Sequence, residues 1–252
     1  MVPVPLVPCL LALASFQVAS PRPPTSDVPT RPPHEVDAAS DDADESASPQ
    51  STAWPDDPNA TRLIYGPTGR TLERGEAYVE LFGINVPVVH VGLTDWLSVG
   101  GGTVAFIPDA QPGEIALVAP KVRVFGSART NVSVGTLHFN AFRRYNGGIA
   151  YGVVTQGTSD FGVTMGVGYF YVVEHRRLVG APALIVGGER RITARVKLIS
   201  ENYVRRDLVL PGGGVRLIRG PLSIDLGLTA VLTESFAMPA PMLRIAWRFR
   251  EP

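Results

Sequence analysis

The sequence predicts an all-β protein: an antiparallel up-and-down transmembrane β-barrel of about ten to twelve strands behind a disordered tail. Three observations carry this. Long segments after Ala60 alternate apolar and polar residues with a period of two, and almost nothing recurs at helical spacing. The alternation is inverted with respect to a soluble sheet, because the polar parity is rich in glycine and the apolar parity carries aromatics near strand ends. The charge is also segregated. Of 23 acids, nine fall between Pro21 and Pro58 against two of the 23 bases, so an acidic stretch precedes the remainder, which carries a net charge of +7.

In chain order, residues 1–20 (MVPVPLVPCLLALASFQVAS) hold an apolar run from Leu6 to Phe16 followed by Ala19 and Ser20, which predicts a cleaved secretory signal. The run is too short and too Pro-interrupted for a membrane-spanning helix, which needs roughly 20 apolar residues. The one cysteine, Cys9, lies inside it, and Pro8 stands where a lipidation site would need a small residue. Cleavage would leave no thiol for a disulfide, a metal site or a nucleophile. Residues 21–59 are rich in Pro, Ser, Asp and Ala and have no hydrophobic period, which predicts a disordered acidic linker.

Residues 60–252 are predicted to form the barrel. In PLSIDLGLTAVL, Leu222, Ile224, Leu226, Leu228, Ala230 and Leu232 share one parity, and Ser223, Asp225, Gly227 and Thr229 the other. In DFGVTMGVGYFYV, Phe161, Val163, Met165, Val167, Tyr169 and Tyr171 alternate with Gly162, Thr164, Gly166 and Gly168. With breaks at Asn146-Gly147, at DAQPG (109–113) and at RGP (219–221), strands are expected near 76–84, 87–94, 97–106, 114–125, 130–139, 148–156, 160–172, 182–189, 192–203, 214–219, 221–232 and 242–249. Several reach the roughly 9–11 residues that cross a bilayer.

A soluble sandwich alternates too, but with its apolar face inward. Glycines at 152, 162, 166, 168 and 227 suit a crowded interior, and Tyr169, Tyr171, Trp247 and Phe249 suit an interface girdle. The stretch PMLRIAWRF, with Leu243, Ile245, Trp247 and Phe249 on one parity, resembles the C-terminal strand of bacterial outer-membrane barrels; three residues follow its aromatic. That resemblance implies recognition by barrel-assembly machinery. More broadly, Ala60 to Phe249, with runs such as AYGVVTQGTSD and VGGERR followed by VKLISENY, resembles a group of uncharacterised bacterial envelope proteins. The resemblance implies an outer-membrane location and brings no activity with it.

If the polar parity faces a lumen, Lys121, Arg123, Glu189, Arg191, Arg195, Lys197, Glu201, Arg216, Asp225, Arg244 and Arg248 form an interior charge network. Its role is then a static plug or a narrow pore, and the excess of base would favour small anions in a hydrated pore. The expected partners are outer-membrane lipids and the assembly machinery. Two other functions remain open: a soluble periplasmic or secreted sandwich that binds a ligand, and a lipid-modifying barrel enzyme.

No catalytic, cofactor or metal site emerges. His34, His90, His138 and His175 lack ligand spacing. Ser133 and His138 are five residues apart and fall on opposite strand faces. NVSVG has Asn131 where a nucleophile elbow needs glycine. GPTGRT lacks a P-loop lysine, and GVGYFY lacks the third glycine of a dinucleotide fingerprint. The bases are spread over many strands without an aromatic platform, which argues against nucleic acid.

Overall fold

The computed structural model describes residues 54, 56–83, 86–103, 115–141, 145–174 and 177–249. The signal and most of the linker expected from the sequence, together with the DAQPG break, lie outside the described residues. So do His34 and His175.

Twelve strands form among the described residues: β1 (Ala77–Phe82), β2 (Val86–Gly92), β3 (Leu97–Thr103), β4 (Ile115–Gly126), β5 (Thr130–Ala141), β6 (Tyr145–Gly157), β7 (Phe161–Glu174), β8 (Arg177–Thr193), β9 (Val196–Arg205), β10 (Leu208–Arg219), β11 (Leu222–Leu232) and β12 (Ala237–Phe249). Each pairs antiparallel with its sequence neighbours, and β1 pairs with β12 from Ala77↔Phe249 to Phe82↔Arg244, so the sheet closes into an up-and-down barrel. Closure removes the exposed edges that an open sheet would present. It also excludes the sandwich expected as an alternative.

The two faces divide as the alternation requires. On β7, Val167 is 64% exposed on the outside while Thr164 is 1% exposed on the inside. On β11, Leu228 is 56% exposed and Asp225 2%. Trp247 and Phe249 of β12 also point outward and are exposed. Apolar side chains that face outward and ionic ones that are buried make sense only if hydrocarbon, not water, surrounds the sheet.

One end of the barrel holds the start of β1, the end of β12 and the connections at 93–96, 127–129, 158–160, 194–195 and 220–221; we call it the termini end. Its turns are tight: Gly220, between Arg219 and Pro221, takes φ 59°, a left-handed conformation that glycine adopts without a Cβ clash. Two register shifts fall at the same end, between Arg123 and Phe125 on β4 and between Arg191 and Thr193 on β8.

Two local expectations fail. Asn146-Gly147 is no hairpin turn; both residues pair inside β6, with Asn140 and Phe139 of β5. Gly152 faces outward, because its neighbours Val153 and Thr155 hold the interior parity at 1% and 0% exposure.

Candidate functional site

The lumen is not empty. Residues 56–72 precede β1 and fold back inside the barrel, in the same compact unit as the strands. A tight loop forms there: Arg62 and Pro67 make an antiparallel bridge, Leu63 N donates to Gly66 O at 2.9 Å, and Thr68 N donates to Thr61 O at 3.0 Å. Its tip is Ile64-Tyr65-Gly66. Leu63 and Ile64 pack with Ile199 and Met242 of the wall, and the Tyr65 ring meets that of Phe82 at 5.2 Å.

The wall grips this segment through its backbone. The buried Glu201 carboxylate accepts three consecutive N–H groups, from Ile64 (2.7 Å), Tyr65 (2.8 Å) and Gly66 (2.6 Å), and the Tyr203 hydroxyl at 2.5 Å. Successive peptide N–H groups converging on one anion form a nest. Arg216, 0% exposed, donates to the carbonyls of Asn59 (2.7 Å) and Leu63 (3.0 Å), to Asp57 (2.9 Å), and through two nitrogens to Asp225 (2.7 and 2.9 Å). Arg244 donates to Leu63 O at 2.5 Å and to Asp225. Lys121 donates to the carbonyls of Thr61 and Thr68, both at 3.0 Å.

Toward the termini end, Lys197 joins Asp57 to Glu189 (2.8 Å), and Glu189 accepts from Arg70 at 2.5 Å. Gly69 lies flat against the wall: its N–H donates to Thr155 Oγ1 at 2.7 Å and its carbonyl accepts from Ser133 at 2.5 Å. A Cβ at Gly69 would sit 2.1 Å from the Asn131 carbonyl oxygen, so only glycine allows this approach. On the wall, a Cβ at Gly187 would sit 2.3 Å from a Leu63 methyl.

Of the eleven residues expected in a lumen network, Lys121, Glu189, Lys197, Glu201, Arg216, Asp225 and Arg244 are all buried and bonded as described. Arg191 is buried at its edge, paired with Asp160 of the 158–160 turn at 2.6 Å. Arg123 and Arg248 sit at the termini-end rim, where Arg123 donates to Asp95 O at 2.6 Å and Arg248 pairs with Glu76. Arg195 is a correction. It shares the inward parity in sequence, but it occupies the 194–195 turn joining β8 to β9 and is exposed. The expected acid partners of the bases were Asp225 and Glu189; Asp57 and Glu80 join them inside the lumen.

Glu80 of β1 is 2% exposed, pairs with His90 at 3.1 Å, and lies 3.6 Å from Arg244 and 3.9 Å from Arg62. Its position was legible, since Tyr78, Glu80 and Phe82 share a parity in AYVELF. Asp57 was not, being grouped by composition with the acidic linker. Among the described residues the buried charges are five bases (Lys121, Arg191, Lys197, Arg216, Arg244) and five acids (Asp57, Glu80, Glu189, Glu201, Asp225). The balance is what burial of ions demands. Ser133 is buried inside, whereas His138 lies on the outward parity, so the two are on opposite faces. Among the described residues no cluster of three His, Cys, Asp or Glu side chains could hold a metal ion.

A closed antiparallel sheet, apolar outside and lined by paired charges inside, defines a transmembrane β-barrel of the outer-membrane type. Among solved structures the chain is similar to the KdgM porin in complex with disordered oligogalacturonate, at 9% sequence identity and a TM-score of 0.49, over 70% of this chain and 98% of that one. No protein-family model matches the chain, and no curated protein matches it.

Proposed function

We propose that this chain is an integral outer-membrane barrel whose resting state is sealed by its own residues 56–72, and which becomes a narrow, anion-preferring pore when that segment leaves. Residues 1–20 act as the export signal, residues 21–55 as a linker on the periplasmic side, and β12 as the strand offered to the assembly machinery. The observation that carries the proposal is the set of buried wall groups spent on the segment's backbone: Glu201 on three N–H groups, and Arg216, Arg244 and Lys121 on carbonyls. Beyond their wall partners Asp225 and Tyr203, the buried Arg216, Arg244 and Glu201 spend further hydrogen bonds on the backbone of the segment.

Removing the segment takes away Asp57 and leaves five buried bases against four buried acids on the wall, while at the termini end Arg191 keeps Asp160 and Arg248 keeps Glu76. That residual positive field supports anion preference in a hydrated lumen. Planar-bilayer recording tests both parts. The full chain should insert with little conductance, and Glu201→Gln should give open bursts whose reversal potential in a KCl gradient reports anion selectivity. Large, steady conductance from the unaltered chain, or cation-selective bursts from the variant, would contradict the proposal.

A further inference from the structure

The outward face carries a feature that sealing the lumen does not use. Across β4 to β8 the apolar surface sinks into a depression of about 690 Å³, floored by Ala150 and Gly152 and bounded by Pro120, Val134, Val167 and Pro182. It arises from missing side-chain volume. A Cβ at Gly152 would find only a Val134 methyl, at 3.8 Å. The registers Val134↔Gly152↔Val167 and Thr136↔Ala150↔Tyr169↔Pro182 show that it runs across the strands. Four interstrand spacings of roughly 4.8 Å make it about 19 Å long.

At the edge away from the termini end the next row is polar. His138 of β5 and Tyr171 of β7 face outward across Gly148, with Nδ1 and the hydroxyl 2.9 Å apart and the rings stacked at 5.9 Å. Thr136, which lines the depression, brings its hydroxyl within 3.4 Å of the same Tyr171 hydroxyl. A polar trio on a lipid-facing surface is costly unless it sits at headgroup depth or meets polar partners. Hydrocarbon cannot leave the adjacent hollow empty without losing contacts along its walls.

We propose that this depression binds one bilayer lipid, an acyl chain lying over Gly152 and Ala150 and a phosphate headgroup held by His138 and Tyr171, with Thr136, whose hydroxyl donates to Ile149 O at 3.1 Å, beside them. The inference rests on the membrane-barrel proposal above. An amphiphile fits because the site is itself amphipathic in the right order, apolar toward the bilayer centre and donor-bearing toward its surface.

The test uses the full chain in detergent, with folding scored by heat-modifiable gel migration, and native mass spectrometry after addition of dimyristoyl phosphatidylglycerol or dimyristoylglycerol. The unaltered chain should retain one phosphatidylglycerol in preference to diacylglycerol. Gly152→Leu, which fills the hollow where space exists, should cut retention at least tenfold. The pair His138→Ala with Tyr171→Phe should keep chain binding but lose the headgroup preference. Equal retention by Gly152→Leu, indifference of the unaltered chain to the phosphate, or a dimer that Gly152→Leu dissolves would each overturn the proposal. Migration that is not heat-modifiable would instead overturn the membrane barrel itself, so the two failures are distinguishable.

Discussion

Glu201→Gln isolates the hold of the wall on the lumen segment. The carboxylate accepts from Ile64 and Tyr65 through Oε2 and from Gly66 and Tyr203 through Oε1. Glutamine keeps one acceptor oxygen and turns an NH₂ toward two donors, so two charge-assisted bonds are lost and donors face donors. Each such bond is worth about 1.5–3 kcal/mol net, and breaking one side of a buried ionic contact costs about 3–5 kcal/mol. Taking about 4 kcal/mol, the docked-to-undocked ratio of the segment should fall roughly a thousandfold. The assay is thiol labelling of Thr68→Cys, at a position 0% exposed, in a Cys9→Ser background. Where opening is fast compared with labelling, the rate tracks the open population, so Glu201→Gln should speed labelling by two to three orders of magnitude while the barrel stays heat-modifiable. An unchanged rate in a folded barrel would refute the claim that Glu201 holds the segment.

Three further outcomes follow from the same geometry. Leu226→Arg places a cation on the outward face of β11, costs about 2–4 kcal/mol near the bilayer centre, and should reduce the heat-modifiable fraction on assembly into lipid. Asp225→Asn should be at least as damaging, by about 3–5 kcal/mol in urea unfolding, because it removes the carboxylate shared by Arg216 and Arg244, both 0% exposed. Arg195→Ala, in the exposed turn after β8, should shift stability by less than about 0.5 kcal/mol.

The strands were legible because hydrocarbon outside and charge inside leave a period-two record, clearest in β7 and β11. Their ends were less so. The sequence placed the starts of β8, β10 and β12 at 182, 214 and 242, whereas they begin at Arg177, Leu208 and Ala237. The missing stretches contain Gly180, Pro211 with Gly212 and Gly213, and Pro239 with Pro241, which argue against strand locally. Closure gives every strand two neighbours, and Pro211 opposite Asn202 and Pro239 opposite Ala230 are carried along by that pairing. Asn146-Gly147 failed for the same reason, since β5 and β6 keep pairing past it to Ala141↔Tyr145.

The site divided differently. Parity found the wall residues Lys197, Glu201, Arg216, Asp225 and Arg244, since burial of charge on one face is a pattern. The plug left no such pattern: the stretch from Asn59 to Leu72 is held mainly by N–H and C=O groups that every sequence has. Only its glycines hint at close approach, and GPTGRT lacks the lysine that would mark a phosphate loop. Arg195 was misplaced because parity runs unbroken from Arg191 to Lys197, while the chain reverses between them.

The most direct test of the barrel is fractionation of the expressed, processed chain, with a carbonate wash followed by gel migration with and without boiling. The structure predicts retention in the outer-membrane fraction and a folded band that shifts on heating. A chain recovered in the soluble fraction, with one migration at both temperatures, would contradict the assignment of Leu226, Leu228 and Val167 to a lipid-facing surface.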